Sequence, residues 1–391
     1  MRIAFVSNLF PPIQTGSAYW TAQAAAALAA RGHHVVVITC APGARTEQID
    51  DAEGVRVYRL PAVFRLPRWS LFLKFDQFYL MSGSKNARRF SEILRDERIE
   101  VMHQAGQLLD SMMLSSAAAR TLAIPAVCSI HTRIGHPTSI IFDRLLRTID
   151  RVFVGRFVMR RYVRIVALDQ VLLRHYERVY RRRGIVCVPV CVDDEILQRA
   201  AAPLADGSPV SIVSVGHVTA MRDRRELLAA IAELKSRGLA IHLDIVGKIL
   251  TDITSRLIAE LGLDDTVTLV GELPRDALLD RLRHSSLEVH WIDVEGVGSA
   301  AIEAMALGLP VAAWAPADIY GDVPLRHLEN IVLINPHDHV SLVRTLELLV
   351  GDASLRRRIG ANARELVQRY LTWGSVAARL EAVYEGAISA R

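Results

Sequence analysis

Glu295 and Glu303 stand eight positions apart in the stretch EGVGSAAIEAMALGLPVAAW, on either side of a glycine-bearing apolar run. The plainest use for such carboxylates is helix stabilisation, because a glutamate in a first helical turn contributes roughly 0.3–1 kcal/mol through the helix dipole. The spacing does not fit that use. A capping box begun by Ser299 needs Glu or Gln three positions on, where Ile302 stands. Glu303 is one place too far, and Glu295 precedes the helix. The helix start itself, at Gly298 and Ser299, offers backbone N–H groups and a positive dipole end to an anion such as phosphate.

These residues need elements to hold them. LEVHWID reads as a strand, Gly296 and Gly298 as a tight turn, Ser299 as the cap of a short helix ending at Gly308, and VAAW as the next strand. In open α/β sheets the carboxyl edge of the strands is where ligands lie, and this helix starts there. The same order recurs along the chain. RIAFVSN, the loop LFPPIQTGS, the helix AYWTAQAAAALAARG and the strand HVVVITC make one βαβ unit. VSIVSVG, HVTAMRD, RRELLAAIAELKSRG and LAIHLDIVG make another. The small-residue stretch AAAPLADGSP lies between the halves and places a domain boundary near Asp206. Residues 1–205 are expected to form one doubly wound domain and 206–371 a second. The amphipathic segment from Thr372 is expected to cross back to the first.

At 391 residues, with 51% apolar and 23% charged side chains, the chain has the size and composition of two globular domains. MRIAFVSNLF passes from one arginine directly into a strand-like run, so no signal peptide is expected. No uncharged apolar run reaches the length of a spanning helix, and a cytosolic protein is expected. Cys40, Cys128, Cys187 and Cys191 include no C-x-x-C pair, and CVPVC reads as a strand, so reduced thiols and no structural zinc are expected. The formal charge of +5 suits an anionic ligand or an anionic membrane surface without requiring nucleic acid.

The pattern E-G-x-G-x-x-x-x-E-A-M-A-x-G-L-P-V resembles the E-x7-E signature of retaining, GT-B-fold glycosyltransferases of family four. Further stretches resemble that family in order along nearly the whole chain. PPIQTG, with Thr15-Gly16, is similar to its amino-terminal glycine loop, and RGHHVVVIT to the strand after it. IEVMHQAG and IPAVCSIHT resemble its strand-end histidine motifs, and VPVCVDDEIL its I-P-N-G-V-D segment. VSVGHVTAMRD resembles G-R-L-x-x-x-K-G, with Gly216-His217 for the family's G-R and Arg222 for its lysine.

The resemblance implies an α/β GT-B fold, two Rossmann-like domains facing a central cleft, with the acceptor on the first and a nucleotide sugar on the second. It implies that Glu303 holds the donor ribose hydroxyls and that Glu295 sits by the transferred sugar. A carboxylate can accept both hydrogen bonds of a cis-diol, and a second one near the anomeric centre favours oxocarbenium-like charge. The amides of Gly298 and Ser299 would meet the diphosphate, and the Arg222 fork would answer its charge, with His217 and Gly216 beside it. His131, at the end of an apolar strand, resembles the histidine near sugar and acceptor. His103 is the weaker histidine, and His33, His34, His136 and His290 read as structural, although His290 could line the pocket. The donor would be a UDP- or GDP-linked sugar and the acceptor a glycan, a lipid-linked or a small-molecule hydroxyl. No D-x-D triplet occurs, so no obligatory metal and no further cofactor are expected. A degenerate GT-B protein that binds a nucleotide sugar or a partner enzyme without turnover is the alternative.

Between Arg144 and Arg183 there are twelve arginines against three acids. On a helical wheel Phe142, Leu145, Leu146, Ile149, Val152 and Phe153 share one face, opposite Arg144, Arg147 and Arg151. A core-facing helix with a solvated arginine face is the preferred reading. Docking on an anionic membrane, aided by FRLPRWSLFLKFDQFYL and placing the protein at the inner face of the membrane, is the other.

Overall fold

A computed structural model describes residues 1–13, 15–41, 43–65, 79–107, 110–135, 139–199, 209–220, 222–291 and 295–390. The chain forms two compact units, Met1–Pro189 with Val376–Arg391, and Val190–Ser375. The boundary expected near Asp206 and the aromatic segment around Trp69 both lie outside the described residues, as does His136.

The first unit is built on an eight-stranded sheet. Its order is Val186–Cys187, Arg164–Ala167, Ala126–Ile130, Val101–Ala105, Arg2–Ser7, His34–Ala41, Val55–Pro61, Gln48–Ala52. Only the edge hairpin of the last two strands is antiparallel. The near-continuous burial of Arg2–Ser7, His34–Ala41 and Val101–Ala105 is what a parallel sheet covered on both faces requires. The helix Gly16–Ala30 starts where Thr15 Oγ1 accepts the Ala18 N–H at 3.1 Å. It stops before Gly32, whose φ of +87° suits a residue without a side chain. Of CVPVC only Cys187 is strand, paired with Val186 before it in the short strand Val186–Cys187, because Pro189 has no N–H to give a ladder. The four cysteines are free thiols. The helix Trp373–Ser389 ends the chain, and from Val376 onward it belongs to this first unit.

The arginine-rich helix departs from expectation. Ile140–Ile149 is helical but buries no side chain. From Asp150 to Val158 the chain winds as a π-helix. The wheel drawn at 3.6 residues per turn therefore fails for Val152 and Phe153, while Leu145 and Ile149 lie in the regular turns before the π-helix and are exposed there as well. Val154, Gly155 and Val158 turn inward, and Tyr180 packs where a Gly155 side chain would begin. Ile140, Ile141, Leu145, Ile149, Val152, Phe153 and Phe157 stay exposed, so the core-facing reading of this face is overturned.

Among the described residues the second unit has a six-stranded, all-parallel sheet in the order Val267–Gly271, Ile241–Val246, Val210–Val215, Leu287–His290, Val311–Ala313, Val332–Leu333. Strand order reverses between Val210–Val215 and Leu287–His290, which pair through Ile212 with Leu287 and Val213 with Glu288. The loops leaving these two strands therefore start side by side at a topological switch point, the usual ligand position of an open sheet.

Candidate active site

After Leu287–His290 the chain reaches Glu295, which is exposed, then buried Gly296 and Val297. The Gly296 N–H donates to Trp314 O at 2.8 Å, and Tyr320 Oη donates to Val297 O. The helix Ser299–Ala306 follows, with Gly298 as its cap in place of Ser299 and no side chain closing it. Gly298 has an ordinary extended backbone, φ −83°, so a tight turn is not why glycine stands there. A Cβ at this position would lie 3.0 Å from His290 Nε2. The Gly298 N–H donates to that nitrogen at 3.0 Å. Of the two amides expected to face a diphosphate, this one is already engaged.

Glu303 lies on the buried side of the same helix, 8% exposed. Arg275 Nη1 donates to its Oε1 at 3.0 Å, and Arg275 Nη2 donates to Asp193 Oδ2 at 3.1 Å. Burial pushes the Glu303 carboxyl above the usual carboxylate range, Arg275 pulls it back, and Asp193 and Glu288 add to the rise. Arg275 carries no signal that would have singled it out in the sequence, whereas Asp193 ends the segment that is similar to I-P-N-G-V-D without any sign of its partner.

The neighbouring loop leaves Val210–Val215 through Gly216, whose φ of +143° excludes ordinary side chains. A Cβ there would meet Arg222 Nη1 at 2.9 Å, so the half-buried Arg222 guanidinium lies against this glycine. His217 is exposed, and its Nδ1 accepts the Lys248 N–H at 3.1 Å, which puts the imidazole proton on Nε2. Gly247 was not anticipated. At φ +148° it ends the next strand so close that a Cβ would sit 2.5 Å from Gly216 O. Arg224, also missed, is fully buried and donates to Ser214 Oγ at 3.0 Å and Gly216 O at 2.8 Å. Burial lowers it to about 10, and the charge of Arg222 adds to that, against Glu288. It remains a cation at neutral pH.

The first unit holds the other candidates. Gly16 is exposed at the start of its helix with open space around it. His131 follows the strand Ala126–Ile130. Its Nε2 is 2.8 Å from Ser129 Oγ and its ring lies edge-on to Trp20 at 4.8 Å. Burial lowers it to about 4, a neutral base at physiological pH. His103 is fully buried, stacks on Phe5 at 4.9 Å, and holds Tyr384 Oη at 2.6 Å through Nδ1. Burial, with the neighbouring His131, lowers it to about 3. Among the described residues no group of His, Cys, Asp and Glu is arranged to hold a metal ion.

Residues 197–366 match the glycosyl transferases group 1 family, and residues 15–191 match a glycosyl transferase 4-like domain. The MMP alpha-(1->4)-mannosyltransferase of Mycolicibacterium hassiacum is 26% identical, covering 100% of this chain and 99% of its own. A D-inositol 3-phosphate glycosyltransferase of Nocardia farcinica is 32% identical over 44% of this chain and 39% of its own. Among solved structures, sucrose-phosphate synthase from Thermosynechococcus elongatus aligns with a TM-score of 0.71 at 20% identity, covering 100% and 99% of the two chains. Anabaena HepE, solved in complex with UDP and glucose, aligns with a TM-score of 0.66 at 15% identity, covering 98% and 99%. At such identities the structural likeness speaks for the fold alone.

Proposed function

The chain belongs to the glycosyl transferases group 1 family and has the GT-B fold, and from this premise we propose that it transfers a sugar, with retained anomeric configuration, from a nucleoside-diphosphate donor to an acceptor hydroxyl. The observation that carries the reading is Glu303, a buried carboxylate fixed by Arg275 beside the switch point of the second sheet. There it would accept the hydrogen bonds of a ribose diol, while exposed Glu295 would stand by the transferred sugar. Arg222 and the Ser299 amide would answer the diphosphate charge, with Gly216 allowing close backbone approach and His217 alongside. Gly16 of the first unit would help bind the donor, and the neutral His131 would stand by the sugar and the acceptor. The UDP held by HepE favours a uridine donor, with a GDP-linked sugar next. The absence of a D-x-D triplet in the sequence supports catalysis without an obligatory metal. The relatives above are named as transferases, and no observation favours binding without turnover.

The test is a thermal-shift screen of UDP-, GDP- and ADP-sugars, followed by anomer analysis of the product by NMR in the presence and absence of a chelator. A donor at a hundred times its dissociation constant stabilises by roughly 2.7 kcal/mol. No shift with any of them overturns the donor reading, and an inverted product overturns retention.

A specific observation favours a second element of the reading, contact with an anionic lipid surface from the cytoplasmic side. Ile140 and Ile141 at the start of the helical segment and Phe153 and Phe157 near its end are 74%, 78%, 46% and 55% exposed, flanked by exposed Arg144, Arg147, Arg151, Arg156 and Arg160. Apolar side chains rimmed by arginine suit the boundary between lipid headgroups and acyl chains. No helix among the described residues is long and apolar enough to cross a membrane.

A further inference from the structure

Glu288 and His290 stand two positions apart in an otherwise apolar central strand, so both side chains lie on one face of the sheet. They are 0% and 3% exposed. Ionisable groups buried this deeply destabilise the fold unless their polar atoms are used. His290 Nδ1 lies 3.1 Å from Glu288 Oε1, and His290 Nε2 lies 3.0 Å from the Gly298 nitrogen. An amide only donates, so Nε2 carries no proton and the single ring proton sits on Nδ1, directed at Glu288. Both ring nitrogens are thereby occupied, which leaves the imidazole no role in touching a substrate.

The connection does not stop at Glu288. Its second oxygen is buried without a hydrogen-bond partner among the described residues. Its charge is felt by buried Arg224 on the neighbouring strand's loop, without a hydrogen bond between them. Arg224 in turn donates to Gly216 O at 2.8 Å and, at 3.4 Å, to Arg222 O. The Gly298 loop is thus hydrogen-bonded to the His290–Glu288 pair, and the Gly216–Arg222 loop to Arg224. Arg224 also donates to Ser214, next to the Val213 that pairs with Glu288 in the sheet, so the two sets meet at adjacent strands and are linked there by charge and strand pairing.

We infer that Glu288 and His290 are positioning residues for sugar transfer. They hold the Gly298 amide so that Glu295 and Glu303 keep one fixed relation to the Gly216–Arg222 loop. The inference rests on the donor reading given above, and it assigns to buried groups a task that no surface residue of the loop performs. It also explains why position 298 is glycine: the amide must come within hydrogen-bond reach of an imidazole that leaves no room for a Cβ.

The experiment uses the full chain with His290→Phe, His290→Gln and Glu288→Gln. Hydrogen exchange of peptides covering residues 295–306, with no ligand present, reads the relay directly. His290→Phe keeps a flat ring, somewhat larger than imidazole, but removes the acceptor, and is expected to speed exchange of the Gly298 amide roughly threefold to tenfold. His290→Gln presents its amide oxygen near the former Nε2 and is expected to restore protection. Glu288→Gln, which removes the charge opposite Arg224, is expected to speed exchange in residues 216–224. Equal protection in wild type and His290→Phe, or equal loss in His290→Phe and His290→Gln, overturns the relay. Should His290→Phe fail to fold, the Gln variants decide the matter on the same readout.

Turnover supplies the second arm. His290→Phe is expected to lower kcat roughly tenfold to a hundredfold, the scale of a small misplacement of reacting groups, with His290→Gln recovering most of it. A loss confined to KM overturns the positioning role. Failure of the wild type to bind any UDP-, GDP- or ADP-sugar marks failure of the donor reading instead, and the exchange data tell the two apart.

Discussion

Glu303 is held by Arg275, 3.0 Å from guanidinium Nη1 to carboxylate Oε1, on the buried side of the short helix that follows the glycine loop. A carboxylate oriented in this way before any ligand arrives is a ready acceptor for a diol. Glu303→Gln is therefore expected to weaken UDP binding by roughly 1.5–3 kcal/mol, the loss of a charge-assisted hydrogen bond. Because burial raises the Glu303 carboxyl, it takes up a proton at a higher pH than an ordinary glutamate. Affinity should fall as the pH drops into the acid range, and Glu303→Gln should be flat there. Calorimetry across that range checks both, and unchanged affinity in the variant removes the ribose assignment.

Glu295 is exposed, so its replacement has little to disturb in the fold. Glu295→Gln should leave stability within about 0.5 kcal/mol of wild type while lowering kcat far more than it changes donor affinity. Turnover at saturating donor and acceptor, measured with a melting curve of the same sample, separates the two effects. Full activity in the variant would exclude Glu295 from the transfer step.

Asp150, at the start of the π-helical turn, accepts a hydrogen bond from Tyr180 Oη at 2.7 Å and is pushed up to about 6 by burial, from its ordinary 3.8. Between those values the folded chain keeps a proton that the unfolded chain releases. The stabilisation is thus complete below about pH 4 and disappears as pH rises through about 6. Its full size is at most about 3 kcal/mol. Asp150→Asn should flatten this part of the melting-temperature profile between pH 4 and 7. A profile with the wild-type slope would show that another group causes it.

The exposed face from Ile140 to Phe157 should bind vesicles containing anionic lipid and release them at high salt, where charge is screened over about 3 Å instead of about 8 Å. Replacing Ile141, Phe153 and Phe157 together with serine should weaken sedimentation at low salt too, since it removes the apolar part of the contact. Equal recovery with neutral vesicles would reject the electrostatic contribution, and unchanged binding by the triple variant would reject the apolar one.

Local patterns made much of this protein legible in its sequence. The apolar runs RIAFVS and HVVVITC announce buried parallel strands, and the Ala-rich stretch between them announces the helix Gly16–Ala30. The signature pair Glu295 and Glu303 could be found because both belong to one short loop-helix segment. What escaped depends on partners distant along the chain or on a change of helical period. Arg275 meets Glu303, and Asp193 meets Arg275, only through tertiary packing; Asp193 ends the segment similar to I-P-N-G-V-D, but nothing in PRDALL or VDDEIL joins the three. The π-helix at Asp150 alters which residues face inward, and a wheel with a single period is blind to that. A clue was present at Glu288 and His290, two ionisable residues alternating within an apolar strand. A strand that must be dry on both faces has no place for them without partners.

The hydrogen bond from His103 to Tyr384 joins residues 281 positions apart in the chain. Its consequence falls on synthesis. At about 5–20 residues per second, the ribosome needs roughly 10–40 s to make the second unit, Val190–Ser375, before it reaches the helix that completes the first. Throughout that interval the nascent first unit exists without the hydroxyl that partners Nδ1 of its buried His103, and without Val376, Leu380 and Ala387, which end up fully buried. The later half of the polypeptide can therefore reach its own fold while the earlier half is still waiting, so completion of the molecule runs against the direction of translation.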